Sequence, residues 1–143
     1  MSGIKIRLAK NNNDLKDIFK IRKIVFIKEQ KVPINEEIDG FDEDSKHIIA
    51  LYKNSPIGCA RIRFIGKKAK LERIAILKNY RGKGFGKNIV EYLIKYSKNK
   101  SAGEIVMNAQ FYLADYYKKF GFKSRGKTFM EAGIKHIEMC LRV

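Results

Sequence analysis

The chain has 143 residues, 45% of them hydrophobic, which suits one folded domain and excludes a disordered or low-complexity polymer. A formal net charge of +16 points to anionic company: nucleic acid, an acidic membrane face or a polyanionic small molecule. Two cysteines, Cys59 and Cys140, and two histidines exclude a disulfide framework and lack CxxC or HExxH spacing, so no metal site is expected.

The opening MSGIKIRLAKNNN lacks the apolar core of a leader, and no run approaches the roughly 18 apolar residues of a membrane span. A cytoplasmic chain without a membrane partner is expected. Ile4 to Ala9 alternates apolar with basic residues and predicts a half-buried strand. Asn12 or Asn13 can cap the helix that follows, whose apolar stripe is Leu15, Ile18, Phe19, Val25 and Phe26 and which must stop before Pro33. A polar loop spans Asn35 to Ser45. His47 to Tyr52 and Ile57 to Phe64 read as strands joined by a turn at Lys53-Asn54-Ser55-Pro56. Lys70 to Leu77 is a further strand. Ile89, Val90, Leu93, Ile94 and Ser97 mark a helix face, and Glu104 to Ala109 a strand. Leu113, Tyr116, Tyr117 and Phe120 give a short second stripe ending at Gly121, and Lys135 to Val143 reads as the last strand. The order predicts an α/β (α+β) fold with a mixed sheet and helices on its faces.

The stretch NYRGKGFGKNIVEYL, Asn79 to Leu93, sits where a strand passes into a helix. Residues without Cβ let the backbone turn sharply and bare successive N–H groups there. The first helical turn adds unpaired donors and the positive end of the macrodipole, so the junction favours phosphate. Arg81, Lys83 and Lys87 place full charges around it. A dinucleotide G-x-G-x-x-G fails at Lys87, a Walker loop fails at Arg81 and Asn88, and an RNA-binding RNP1 string fails at Lys83. What fits is Arg-x-x-Gly-x-Gly, from Arg81 to Gly86.

That pattern resembles the pyrophosphate loop of the GNAT superfamily of acyl-CoA N-acyltransferases. The longer strings LERIAILKNYRGKGFGKNIVEYL and MNAQFYLADYYKKFGF resemble the family's fourth strand with third helix, and its fifth strand with fourth helix. VFIKEQKVPINEEID and AGIKHIEM resemble its ElaA-like branch. The resemblance covers nearly the whole chain in order and implies a single N-acetyltransferase domain over residues 1–143. The implied sheet is twisted, mostly antiparallel and splayed between strands 4 and 5, with acetyl-CoA as cosubstrate in the gap. The pyrophosphate would take amides of Arg81, Gly82, Lys83, Gly84, Phe85, Gly86 and Lys87. The pantetheine arm would pair with the backbone at Ile74, Ala75 and Ile76, and Asn108 would hydrogen-bond it unless it serves only as a strand-end cap.

The implied reaction is direct attack of a primary amine, small or peptide-borne, on the thioester. Tyr117 matches the family tyrosine that protonates the departing thiolate, although its place on an apolar stripe also suits a core residue with a satisfied hydroxyl. Tyr116 and Phe120 read as packing. For the base, Glu72 on the fourth strand shares a face with Ile74 and Ile76 by period-two parity, and Glu29 is a second candidate on the acceptor side. His136 on the last strand could titrate but reads better as a satisfied, partly buried histidine, and Cys59 as a small buried hydrophobe. The acidic run Glu36, Glu37, Asp39, Asp42, Glu43 and Asp44 could attract a cationic amine or could be a solvated loop. The other class left open is a CoA-binding regulatory or nucleic-acid-associated module with little turnover. Nucleic acid is disfavoured because the cations scatter and no aromatic–basic motif is present. A monomer and a homodimer fit equally.

Overall fold

The alternation at Ile4 to Leu8 and the stripe beginning at Leu15 set the first two elements of the structure, a computed structural model that describes residues 3–143. Met1 and Ser2, the start of the segment read for a leader, lie outside the described residues. Strand β1 covers Ile4–Leu8 and helix α1 Asn12–Arg22. The cap is Asn11 rather than Asn12 or Asn13: its side chain accepts from the amide of Asp14 at 2.9 Å. Ile18, Ile21 and Val25 recur on one face and are buried against the sheet.

From Lys23 to Glu29 the helix widens to π geometry, with the Gln30 amide bonded to the Val25 carbonyl five residues back. It stops before Pro33, as the proline requires. A single turn, α2 (Ile34–Glu37), interrupts the loop expected from Asn35 to Ser45. Strands β2 (Lys46–Tyr52), β3 (Ser55–Ile65) and β4 (Lys68–Ile76) form consecutive hairpins. The first turn is tighter than expected, because Lys53 and Asn54 both take positive φ and Ser55 already pairs with Tyr52. Helix α3 (Phe85–Asn99) crosses over to β5 (Glu104–Gln110), and α4 (Ala114–Lys118) leads to the hairpin β6 (Lys123–Glu131) and β7 (Ile134–Arg142).

The seven strands form one sheet in the order β1-β2-β3-β4-β5-β7-β6. Every neighbouring pair is antiparallel except β4–β5, which is parallel because α3 returns the chain to the same end. One face packs Ile48, Ile62, Leu71, Ile105 and Met139 against Ile89 and Leu93 of α3. The other packs Ile49, Cys59 and Ala75 against Ile18 and Ile21 of α1 and Val25 of the π segment. The sheet is thus covered on both sides of the β4–β5 seam, where pairing is shortest.

Pairing at that seam runs only from Lys68 opposite Glu104 to Leu71 opposite Met107. Beyond it β4 and β5 part, β4 staying with β3 and β5 with β7. The expected splay is present. Just where the strands part, β4 carries a bulge: Cys59 pairs with Ala75 but Arg61 pairs with Glu72, so Arg73 and Ile74 together face one residue of β3. Arg73 sits there at φ +56.

The bulge overturns the strand parity expected from sequence. Period-two alternation would place Glu72 with Ile74 and Ile76, yet one extra residue inverts the facing of everything after it. Ala69 and Leu71 pack on the α3 side, as do Ile74 and Ile76, while Ala75 turns to α1. Glu72 therefore lies on the α1 face, opposite Ile74 and Ile76.

Candidate functional site

The β4–α3 junction opens onto the gap between the parted strands. Gly82 and Gly84 take φ of +77 and +84, and a Cβ on either would meet no atom within 4 Å. The glycines thus serve the backbone turn and keep the outer surface of the loop bare. Gly84 is the residue before the first helical turn of α3, and no side chain caps that turn. Uncapped amides at the positive end of a 15-residue helix, with Arg81, Lys83 and Lys87 exposed around them, make a site for an anion. Phe85 is buried and anchors the loop to the core, against the ring of Tyr52 at 5.1 Å.

Arg81 does more than add charge. Its Nε donates to the Ile76 carbonyl at 2.8 Å and its Nη2 to Glu29 at 2.9 Å. The next residue, Gln30, accepts from the side chain of Gln110 at 3.0 Å. Consecutive side chains at the end of the π segment thus hold opposite walls of the gap, the β4 loop and the end of β5. Gln30 and Gln110 carry no sequence signal, because residues 80 apart meet only through the fold.

Asn108 stands half-buried on β5 beyond the last β4 pair, and among the described residues its side chain has no hydrogen-bond partner. At the end of β5, Tyr117 of α4 is 7% exposed, with its ring edge-on to Tyr116 and Phe122. Among the described residues nothing bonds its hydroxyl. Burial pushes its pKa well up, with Tyr116 and Tyr112 adding to the shift, so the phenol stays protonated at neutral pH. Tyr116 packs on Phe120 as expected, but its hydroxyl also reaches α3, 3.2 Å from where a Cβ on Gly86 would stand. A groove of about 700 Å³ continues from there between α3 and α4, lined by Lys87, Lys95, Lys98, Lys119, Tyr116 and Phe120 among others.

The α1 side of the gap is built from ion pairs. Arg61 is fully buried on β3 and bonds Asp39 at 2.8 Å, Glu72 at 2.7 Å and Asp42 at 3.0 Å. Arg22, 1% exposed, holds Glu37 and Asp42, both at 2.7 Å. Arg63 takes Glu72 at 2.7 Å. For Glu72, Asp39 and Asp42, burial alone would raise the carboxyl pKa. The arginine hydrogen bonds outweigh it, and all three are held below the ordinary carboxylate range. Half of the acidic run is thereby spent inside the protein: Glu37, Asp39 and Asp42 turn inward, while Glu36, Glu43 and Asp44 face solvent. Sequence spacing missed this network because its partners lie 9 to 22 residues apart.

His136 is buried and satisfied, its Nδ1 2.7 Å from the Ile134 carbonyl and its ring stacked on Phe129. Cys59 is fully buried, and desolvation pushes its thiol up to about 12, far from a reactive thiolate.

A sheet opened at a parallel seam, with an uncapped glycine loop on one wall and a buried tyrosine on the other, defines the acyl-CoA N-acyltransferase class of fold. Residues 20–143 match the model of the acetyltransferase (GNAT) domain, and the chain belongs to that family. The uncharacterized N-acetyltransferase YjcF of Bacillus subtilis is 40% identical over 137 residues, which make up 95% of this chain and 98% of the relative. The crystal structure of Escherichia coli ElaA matches with a TM-score of 0.86 at 23% identity, over 96% of this chain and 98% of that one. A GNAT acetyltransferase from Elizabethkingia anophelis, crystallised with acetyl-CoA bound, matches over the full length of both chains, with a TM-score of 0.79 at 16% identity. No helix among the described residues is long and apolar enough to cross a membrane.

Proposed function

We infer that the protein is an acetyl-CoA-dependent N-acetyltransferase acting on a primary amine, small or peptide-borne, as a single domain. The observation that carries this reading is the parting of β4 from β5 after Leu71 and Met107, directly beside the uncapped first turn of α3. An unpaired strand edge offers N–H and C=O groups to an extended amide chain, which is what a pantetheine arm is. Ile74, Ala75 and Ile76 supply that edge, and among the described residues the carboxamide of Asn108 on the facing wall has no hydrogen-bond partner. The diphosphate would rest on the amides from Arg81 to Lys87, and the lysine-lined groove between α3 and α4 suits the remaining phosphate. The acetyl-CoA bound by the Elizabethkingia neighbour supports the same substrate here.

In the reaction the neutral amine nitrogen attacks the thioester carbonyl, the C–S bond breaks, and the sulfur takes a proton. Tyr117 is the proton donor in this reading: its burial keeps the phenol protonated until a thiolate forms beside it. Of the two carboxylates, Glu72 is held between Arg61 and Arg63 on the far face and serves the fold. Glu29, tied to the cofactor loop through Arg81, is the base in this reading and accepts the amine proton through water.

Thiol release from acetyl-CoA across a panel of small amines, amino acids and peptides tests the activity. Tyr117→Phe is expected to lower kcat about 10- to 100-fold while leaving the CoA dissociation constant within about threefold. Equal kcat in the variant would remove Tyr117 from the acid role. Saturable CoA binding with no turnover on any amine would favour a regulatory module instead.

A further inference from the structure

Arg73 holds a backbone conformation that its residue type resists. Its φ of +56 belongs to the left-handed region that glycine and asparagine populate, and it lies in the interior of a strand. The compensation lies on the α1 face. There its Nη2 donates to the Glu37 carbonyl at 2.8 Å, the Glu36 carbonyl at 3.3 Å and the Asp39 carboxylate at 3.3 Å. Its Nε lies 3.3 Å from the Glu37 carboxylate, without hydrogen-bond geometry. Glu37 is fixed in turn by Arg22, and Asp39 by Arg61. The carbonyl of Arg73 accepts from the Cys59 thiol at 3.5 Å. Both the side chain and the backbone of this residue are therefore pinned.

The place matters as much as the clamp. Arg73 follows the last residues that pair with β5, and the next three, Ile74 to Ile76, border the gap. Slipping the bulge by one residue would exchange the faces of Ile74, Ala75 and Ile76 and redirect their amides.

We propose that Arg73 is a positioning residue for acyl transfer: its clamp onto α2 holds the β4 bulge and so aims the backbone of Ile74 to Ile76 at the thioester arm. The inference rests on the acetyltransferase reading of the gap. The guanidinium touches no reacting atom, since it faces α2 across the sheet from α3. It also joins α2, and Asp39 just beyond its end, to β4 through one side chain.

Three variants test it. Arg73→Gly accepts the same φ without strain, so it removes the clamp while sparing the backbone preference. Arg73→Ala removes the clamp and keeps the strain, and Arg73→Lys keeps a single donor. Arg73→Gly is expected to lower kcat on the order of 10- to 100-fold, with a clearly smaller loss of CoA affinity, because the pantetheine edge shifts while the diphosphate loop at Gly84 is untouched. Arg73→Ala should fall at least as far, and Arg73→Lys should recover part of the loss. The 15N-amide resonances of Ile74 and Ala75 should move in Arg73→Gly while those of the first turn of α3 stay. Unmoved Ile74 and Ala75 resonances, or parental kcat in Arg73→Gly, overturn the proposal. A fall in kcat matched by an equal loss of CoA affinity overturns it too, since that pattern is general damage. If the parent binds CoA but acetylates no amine, the functional reading fails, and the amide shifts still decide whether the clamp sets the bulge.

Discussion

Replacing Arg61 by leucine is expected to destabilise the protein by about 3–5 kcal/mol, the usual cost of removing one partner from a buried ionic network. For a chain of this size that corresponds to roughly 10–20 °C in melting temperature, read by thermal denaturation. Arg61 is fully buried and touches three carboxylates, each of which would keep only part of its compensation. Asp42 would retain Arg22, Glu72 would retain Arg63 and Asp39 would retain Arg73. The leftover negative charge, rather than a cavity, dominates the loss, and pH distinguishes the two causes. Because Asp39, Asp42 and Glu72 have folded pKa values below their ordinary 3.8 and 4.5, their contribution is complete above those values and fades as pH falls through and below about 4. The parent should lose stability in that acid window. The difference between parent and Arg61→Leu should narrow there, since protonation relieves the unpaired carboxylates. A constant difference from pH 7 to pH 3 would mean that packing, not charge, accounts for Arg61.

The contrast between this network and the loop at Gly84 explains what could be read in advance. Arg81, Gly82, Gly84 and Gly86 declare themselves locally: a cation and three residues without Cβ lie within six positions, and an apolar helical stripe starts at Ile89 just beyond them. The stripe of Ile89, Val90 and Leu93 is equally local, and those residues are buried as its period requires. The bulge is not local. Nothing in KLERIAI marks an extra residue, because an arginine in place of a glycine hides the positive φ and its compensation comes from Glu36, Glu37 and Asp39. Parity counted through that point must fail, and it puts Glu72 on the wrong face for that reason. The acidic run misleads in the same way, since arginines elsewhere in the chain decide which of its carboxylates turn inward. The π segment shows the limit of periodicity, because KIVFIKE fits a 3.6-residue period as well as a wider one.

Gly84→Glu is expected to weaken CoA binding more than 100-fold in a calorimetric titration while the protein remains folded. Gly84 has φ +84, so any side chain costs the backbone about 1 kcal/mol, a few degrees of melting temperature. A Cβ there meets no protein atom within 4 Å, so the fold imposes no clash. The whole of the larger effect must then come from what lies outside the loop. A carboxylate beside the first-turn amides of α3 would take the donors and repel a diphosphate, turning a site for anions into one that supplies its own. Gly84→Ala separates the contributions, since it carries the backbone strain without the charge and should lose only about 3- to 10-fold. Gly66→Glu serves as a second control: its φ of +59 lies in the β3–β4 hairpin, also with nothing within 4 Å, and it should leave CoA binding unchanged. If Gly84→Glu binds CoA as tightly as the parent, the diphosphate does not rest on this loop. The lysine-lined groove between α3 and α4 would then have to hold it, and the cofactor path drawn through the splayed seam would be wrong.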